Sequence, residues 1–160
     1  TSNVVEEMEA ELSPDHTQVL FIAEADDLLS PGYSASLFLV PAAGGAPRPL
    51  LTGFRHTIEH ATWSPDGQSV LAVANMGVHS EIFRIDLADR RPVQLTDGRH
   101  SVQFWSLAPS AGRMIFQLDE PTRLGDVWTV ASEGGRVTRT GGKIQYASVQ
   151  TTEKIPTGSG

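Results

Sequence analysis

The 160-residue chain contains no cysteine, so it can build neither a disulfide framework nor a thiolate-ligated zinc or iron–sulfur site. That absence suits bacterial cytoplasm and periplasm equally and chooses neither. No stretch approaches the roughly 18 apolar residues that span a bilayer, and no membrane partner is expected. Thr1 to Leu12 is acidic and lacks the basic and apolar regions of a signal peptide, as in a chain without one or already processed. Basic residues are also scarce: 12 Lys and Arg stand against 19 Asp and Glu, for a formal net charge of −7. A general nucleic-acid surface is therefore not expected. Nor does any segment of ten or more residues keep a helical spacing of apolar positions, so helix content should be low.

What the chain does have is repetition. Thr62-Trp63-Ser64-Pro65-Asp66-Gly67 is followed by Val70–Ala74, Ile82–Ile85 and Val93–Thr96. An earlier copy runs through Leu12-Ser13-Pro14-Asp15, Val19–Ile22, Leu37–Val40 and Leu50–Thr52, and a later one through Leu107-Ala108-Pro109, Met114–Phe116, Val127–Val130 and Arg139-Thr140. Thr52, Thr96 and Thr140 are spaced by 44 both times. Four short apolar runs per unit of 40 to 50 residues are the mark of β-propeller blades. The expected fold is all-β: a partial propeller of three four-stranded blades, roughly 7–52, 57–96 and 101–140. Ile144–Val149 would begin a fourth blade, at 144–152. Residues 1–156 would form this domain, and 157–160 read as a flexible linker or an appended remnant.

Local signals agree. Asp66-Gly67 sits where a tight hairpin needs a positive φ. Gly44-Gly45, Asp89-Arg90 and Gly134-Gly135 mark the outer hairpins. Glu7, Glu9 and Glu11 alternate with Met8, Ala10 and Leu12, the period of a half-buried strand. Trp63, Trp105 and Trp128, with Phe83, Phe104 and Phe116, are read as packing between blades. An arc of three blades would leave two apolar flanks bare. Either it is a piece of a longer chain or two copies pair.

Trp63-Ser64-Pro65-Asp66-Gly67 followed by Gln94-Leu95-Thr96-Asp97-Gly98 resembles the blade repeat of prolyl oligopeptidase-family serine peptidases, and also that of the Tol-system propeller. Glu81–Asp86, Leu124–Val130 and Ala42–Arg48 are similar to the third strands, outer hairpin and fourth strand of the peptidase blades. The resemblance covers roughly residues 7 to 150, and its motifs are structural. It implies a non-catalytic propeller that gates or positions peptides for an α/β-hydrolase domain of the same longer chain. The alternative is a Tol-like protein-binding module without catalysis.

No catalytic residue, metal or cofactor is expected in this chain. Gly32-Tyr33-Ser34-Ala35-Ser36 lacks the second glycine of a nucleophile elbow and falls between strands. His56-Thr57-Ile58-Glu59-His60 has a zinc-like spacing, but it leads into an expected inner strand. Extended residues four apart lie about 13 Å from each other, too far to share one ion. Glu6-Glu7 matches paired substrate-binding glutamates of dipeptidyl peptidases by two letters only.

One charged pattern follows the repeat. Arg55, Arg99 and Lys143 are spaced by 44, and His56 and His100 follow the first two. All fall where the outer strand of one blade leads to the inner strand of the next. They would form an arc around one mouth of the channel, as candidate binding residues for a peptide carboxylate or the hydrolase domain. The competing reading is of hydrophilic turn residues copied along with the blade. Residues 23–33, 75–79 and 119–123 should share that face. Leu28, Leu29 and Tyr33 would contact a partner or cover the blade beneath.

Overall fold

The computed structural model describes residues 7–24 and 35–140, and the structural statements below concern these. Three antiparallel sheets follow one another, each with its strands in chain order. Blade 1 holds β1 (Glu7–Leu12), β2 (Gln18–Glu24), β3 (Ala35–Pro41) and β4 (Arg48–Pro49). Blade 2 holds β5 (Thr57–Trp63), β6 (Ser69–Asn75), β7 (Ser80–Asp86) and β8 (Pro92–Gln94). Blade 3 holds β9 (Ser101–Ala108), β10 (Arg113–Glu120), β11 (Arg123–Ala131) and β12 (Thr138–Arg139). The chain is thus an all-β partial propeller. Its one helical element among the described residues is a 3₁₀ turn at Pro109–Ala111. The expected start of a fourth blade, Ile144–Val149, lies outside the described residues.

The middle blade explains why the arc coheres. Side chains of a strand alternate between faces, and both faces of β6 are covered. Val70, Ala72 and Ala74 turn towards blade 1 and join Leu20, Ile22, Leu37 and Leu39. Leu71 and Val73, with Ile82 of β7, turn towards Met114, Phe116 and Val130 of blade 3. Trp63 and Phe83 are buried as read, and Phe116 more completely. Phe104 is not: it is 84% exposed at a positive φ of 40°.

Phe104 marks a repeated device. Each inner strand carries a bulge against its neighbour: between Met8 and Glu11 in β1, at Glu59 in β5 and at Phe104 in β9. An extra residue there bends the strand and breaks its alternation. β1 is not half-buried in the alternating way its glutamates suggest: it is exposed on both faces and on both sides of its bulge. Met8 and Ala10 are exposed, and Glu11 is its most covered residue.

Two of the three inner hairpins share one internal bonding scheme. Ser64 Oγ donates to Asp66 Oδ1 at 2.6 Å and accepts from Ser69 N, while Asp66 Oδ1 accepts from Gln68 N. Ser13 and Asp15 repeat this with Thr17 and Gln18. These bonds, the serine hydroxyl first, hold both aspartates below their ordinary pKa. In blade 3 Ala108 and Ser110 stand in these places, and the hairpin closes through the 3₁₀ turn with Gly112 left-handed.

Register corrects the threonine spacing. The pairs Phe38–Pro49, Phe83–Gln94 and Trp128–Arg139 are equivalent and separated by 45 each time. Thr96 is therefore not the counterpart of Thr140. Thr96 Oγ1 accepts from Ile82 N, whereas Thr140 Oγ1 donates to Val127 O.

Candidate functional site

Arg55 lies on the connector between β4 and β5. That connector is anchored by apolar side chains: Leu50 and Leu51 are buried, and Phe54 meets Phe83 edge-on with ring centroids 5.2 Å apart. His56 packs edge-on against Phe54 at 5.3 Å. Arg55 itself is exposed and faces a cleft of about 880 Å³. Glu24 and Ala35 border this cleft from blade 1, and Asn75 and Gly77 border it from blade 2. Connector and second hairpin therefore do open on one face. Asn75 Nδ2 donates to Glu59 Oε1 at 2.7 Å, and Asn75 Oδ1 accepts from Gly77 N, which fixes the far wall. A cation and two carboxylates, Glu24 and Glu59, thus border one opening.

The next connector is built differently. Arg99 is exposed, but His100 is turned inward, 8% exposed, with Nε2 3.0 Å from Glu81 Oε2. His100 is accordingly spent on a carboxylate rather than presented at a rim. Glu81 is fully buried and also accepts from Thr96 Oγ1 at 2.5 Å and from Gly98 N at 3.0 Å. Two more bonds tie the same segment down: Ser80 N to His100 O, and Val102 N to Ser80 Oγ. A side chain at Gly98 would meet the His100 ring at 2.6 Å, so glycine there lets the imidazole close over the loop. Lys143, the third member of the arc, lies outside the described residues, as do Glu6, Ser34, Leu28, Leu29 and Tyr33.

His60 does lie in a strand, and its Nδ1 sits 2.6 Å from Glu9 Oε1. This contact belongs to a seam along the inner edge of blades 1 and 2. Glu9 Oε2 accepts from Ala61 N, and Glu11 Oε2 accepts from Trp63 N. Thr62 Oγ1 donates to Glu11 Oε1, and Trp63 Nε1 donates to Glu11 O. Two glutamates two residues apart thereby occupy the outward N–H groups of β5. Reading Glu7, Glu9 and Glu11 as an alternating surface missed this role. The signal was the i, i+2 spacing itself, which matches the repeat of outward amides on a strand. Glu81 was missed for a plainer reason: nothing in a lone glutamate beside apolar residues says that a histidine 19 positions later will meet it.

No protein-family model matches the chain, and no curated protein matches it. Solved structures do resemble it. A protein described as TolB from Agrobacterium tumefaciens shares 21% identity at a TM-score of 0.65, over 82% of this chain and 44% of that one. A puromycin hydrolase shares 20% at 0.66, over 86% and 22%. A puromycin-hydrolyzing peptidase of Mycobacterium tuberculosis shares 19% at 0.63, over 84% and 23%. The chain spans less than half the length of each of these structures. At such identities the likeness establishes the propeller fold and leaves activity to the site.

Proposed function

We propose that the chain is a non-catalytic propeller segment of a prolyl oligopeptidase-family serine peptidase, which positions short peptides at its rim. The observation that carries this reading is the cleft at Arg55. A guanidinium pairs well with a terminal carboxylate, and Glu24 and Glu59 on the same opening suit a terminal amine. The likeness to puromycin-hydrolysing enzymes supports the peptidase setting. Arg99 and Lys143 would extend the cationic arc towards an α/β-hydrolase domain of the same longer chain.

The test is a calorimetric titration of the chain with a tripeptide, carrying either a free or an amidated C-terminus. Amidation, or Arg55→Ala, should weaken binding about tenfold, equivalent to about 1.4 kcal/mol. Equal binding of both peptides would sink the proposal. The second reading, a Tol-like module that docks whole proteins, is favoured by the TolB likeness, which covers the larger share of its counterpart. It predicts no response to free peptide termini.

A further inference from the structure

The seam between blades 1 and 2 has no copy between blades 2 and 3. By register, Leu12–Val19, Trp63–Val70 and Leu107–Met114 are equivalent pairs, so Trp105 and Leu107 of β9 correspond to Ala61 and Trp63 of β5. Ala61 N and Trp63 N point away from β6, because neighbouring pairs in an antiparallel ladder alternate between bonded and non-bonded. The same alternation points Trp105 N and Leu107 N away from β10. On β5 these amides donate to Glu9 and Glu11. On the blade 2 side of β9, the places of Glu9 and Glu11 are held by His60 and Thr62. Both are turned back towards blade 1, His60 to Glu9 and Thr62 to Glu11. His60 reaches Trp105 only through a ring contact at 6.1 Å. Among the described residues, no side chain accepts from the Trp105 or Leu107 amide.

The surroundings suit an extended occupant. A cleft of about 480 Å³, walled by Glu11 to Pro14 of blade 1 and Thr62 to Pro65 of blade 2, reaches Leu107 and Pro109 at one end of the seam. A smaller one, about 130 Å³, lies between Glu59 and Gln103 at the other. Phe104, at the bulge beside Trp105, offers an exposed aromatic face. We propose that the channel-facing edge of β9 binds an extended acidic peptide whose two carboxylates, two residues apart, accept from the Trp105 and Leu107 amides. β1 is the template: its Glu9-Ala10-Glu11 does the same to β5 within the molecule. Successive outward amides and alternate side chains of a strand share one spacing of about 6.8 Å, so the match needs no distortion of the peptide. This site adjoins the Arg55 cleft at Glu59 and Asn75, but it rests on the β9 amides and does not depend on the peptidase reading.

The experiment follows backbone amide shifts of the ¹⁵N-labelled chain during titration with acetyl-Glu-Met-Glu-Ala-Glu-Leu-amide, the β1 sequence. Expected are saturable shifts at Trp105 and Leu107, and a weakening of at least about tenfold when the glutamates are replaced by glutamine. Thr62→Glu places an internal carboxylate opposite Leu107 and should lower the affinity about as much. Leu107→Pro removes the outward donor, along with a side chain packed on the Met114 and Phe116 cluster, and should do likewise, with Leu107→Ala as the control for lost packing and the melting curve confirming the fold. Shifts at Ala61 and Trp63 alone would mean that the peptide displaces β1, and would overturn the proposal. So would equal binding of the glutamine peptide, or no shift at Trp105 and Leu107.

Discussion

The two blade junctions solve one packing problem by opposite means. Between blades 1 and 2 the connector is apolar, through Leu50, Leu51 and Phe54, and the inner edge is sealed by the glutamates of β1. Between blades 2 and 3 the connector is a buried polar clasp on Glu81, and the inner edge has no such seal. Arg84 adds a bond from its Nη1 to Glu133 O across the second junction. A clasp of this kind fixes one loop geometry, because each partner is lost together with the others. Apolar anchoring depends on volume and tolerates exchange of similar side chains. The second junction should therefore be the more specific and the more brittle.

The largest effect concerns the outer flank of blade 3. Ile115 and Val127 correspond to Leu71 and Ile82, which are fully buried against blade 3, yet they are 43% and 42% exposed on its outer flank. Light scattering across a tenfold dilution should give a mass near twice 17.2 kDa. Lysine at both positions should return the chain to its monomer mass. A wild-type monomer at all concentrations would show that the flank needs no cover.

Next comes the clasp. Glu81→Ala leaves His100 and Thr96 Oγ1 buried, and the Gly98 amide partly buried, without their acceptor and should cost about 3–5 kcal/mol, read from the denaturation midpoint. A cost below about 1 kcal/mol would make the polar connector no more demanding than the apolar one. Glu11→Ala tests the seam on the other junction. It frees the Trp63 amide at a partly exposed place, and about 1–2 kcal/mol is expected. Together the two values rank the junctions directly.

Smaller effects belong to the hairpins. His16 has a φ of 60° where its counterpart Gly67 has 68°. His16→Gly should raise stability by about 0.5 kcal/mol, since only glycine takes that conformation without strain. Acid separates the blades further. Asp15 and Asp66 have lowered pKa values in the folded chain. Their contribution is therefore present above the unfolded value near 4 and is lost as pH falls through the folded values. Asp66→Asn should flatten the fall of the melting temperature below about pH 4. An unchanged acid slope would show that these hairpins do not contribute to acid sensitivity.

Legibility followed the range of the interaction. Strands, hairpins and the three described blades could be read because alternation and turn chemistry are local: Ser64-Pro65-Asp66-Gly67 carries its own bonding scheme. Burial of Trp63 and Phe83 also followed from the pattern. Phe104 defied it because a bulge, set by the pairing of β9 with β10, turns the residue outward. In the candidate arc, position on the connectors alone was legible. Arg55 and Arg99 are exposed on connectors, but His56 and His100 have the same spacing and different fates. Phe54 packs against one, and a glutamate of β7 claims the other. Such choices depend on residues remote in the chain, which no periodicity records.

The register also bears on engineering. From blade 1 to blade 2 the inner strands advance by 51 residues while the outer strands advance by 45, and from blade 2 to blade 3 the steps are 44 and 45. The discrepancy in the first step is absorbed between β2 and β3, on the face that carries Arg55. Blade 1 thus serves as a natural insertion variant of blade 2, with six extra residues and the same strand pairing. An epitope of that length placed between Asn75 and Ser80 would ride on an unaltered scaffold, which makes this hairpin the place to graft new recognition.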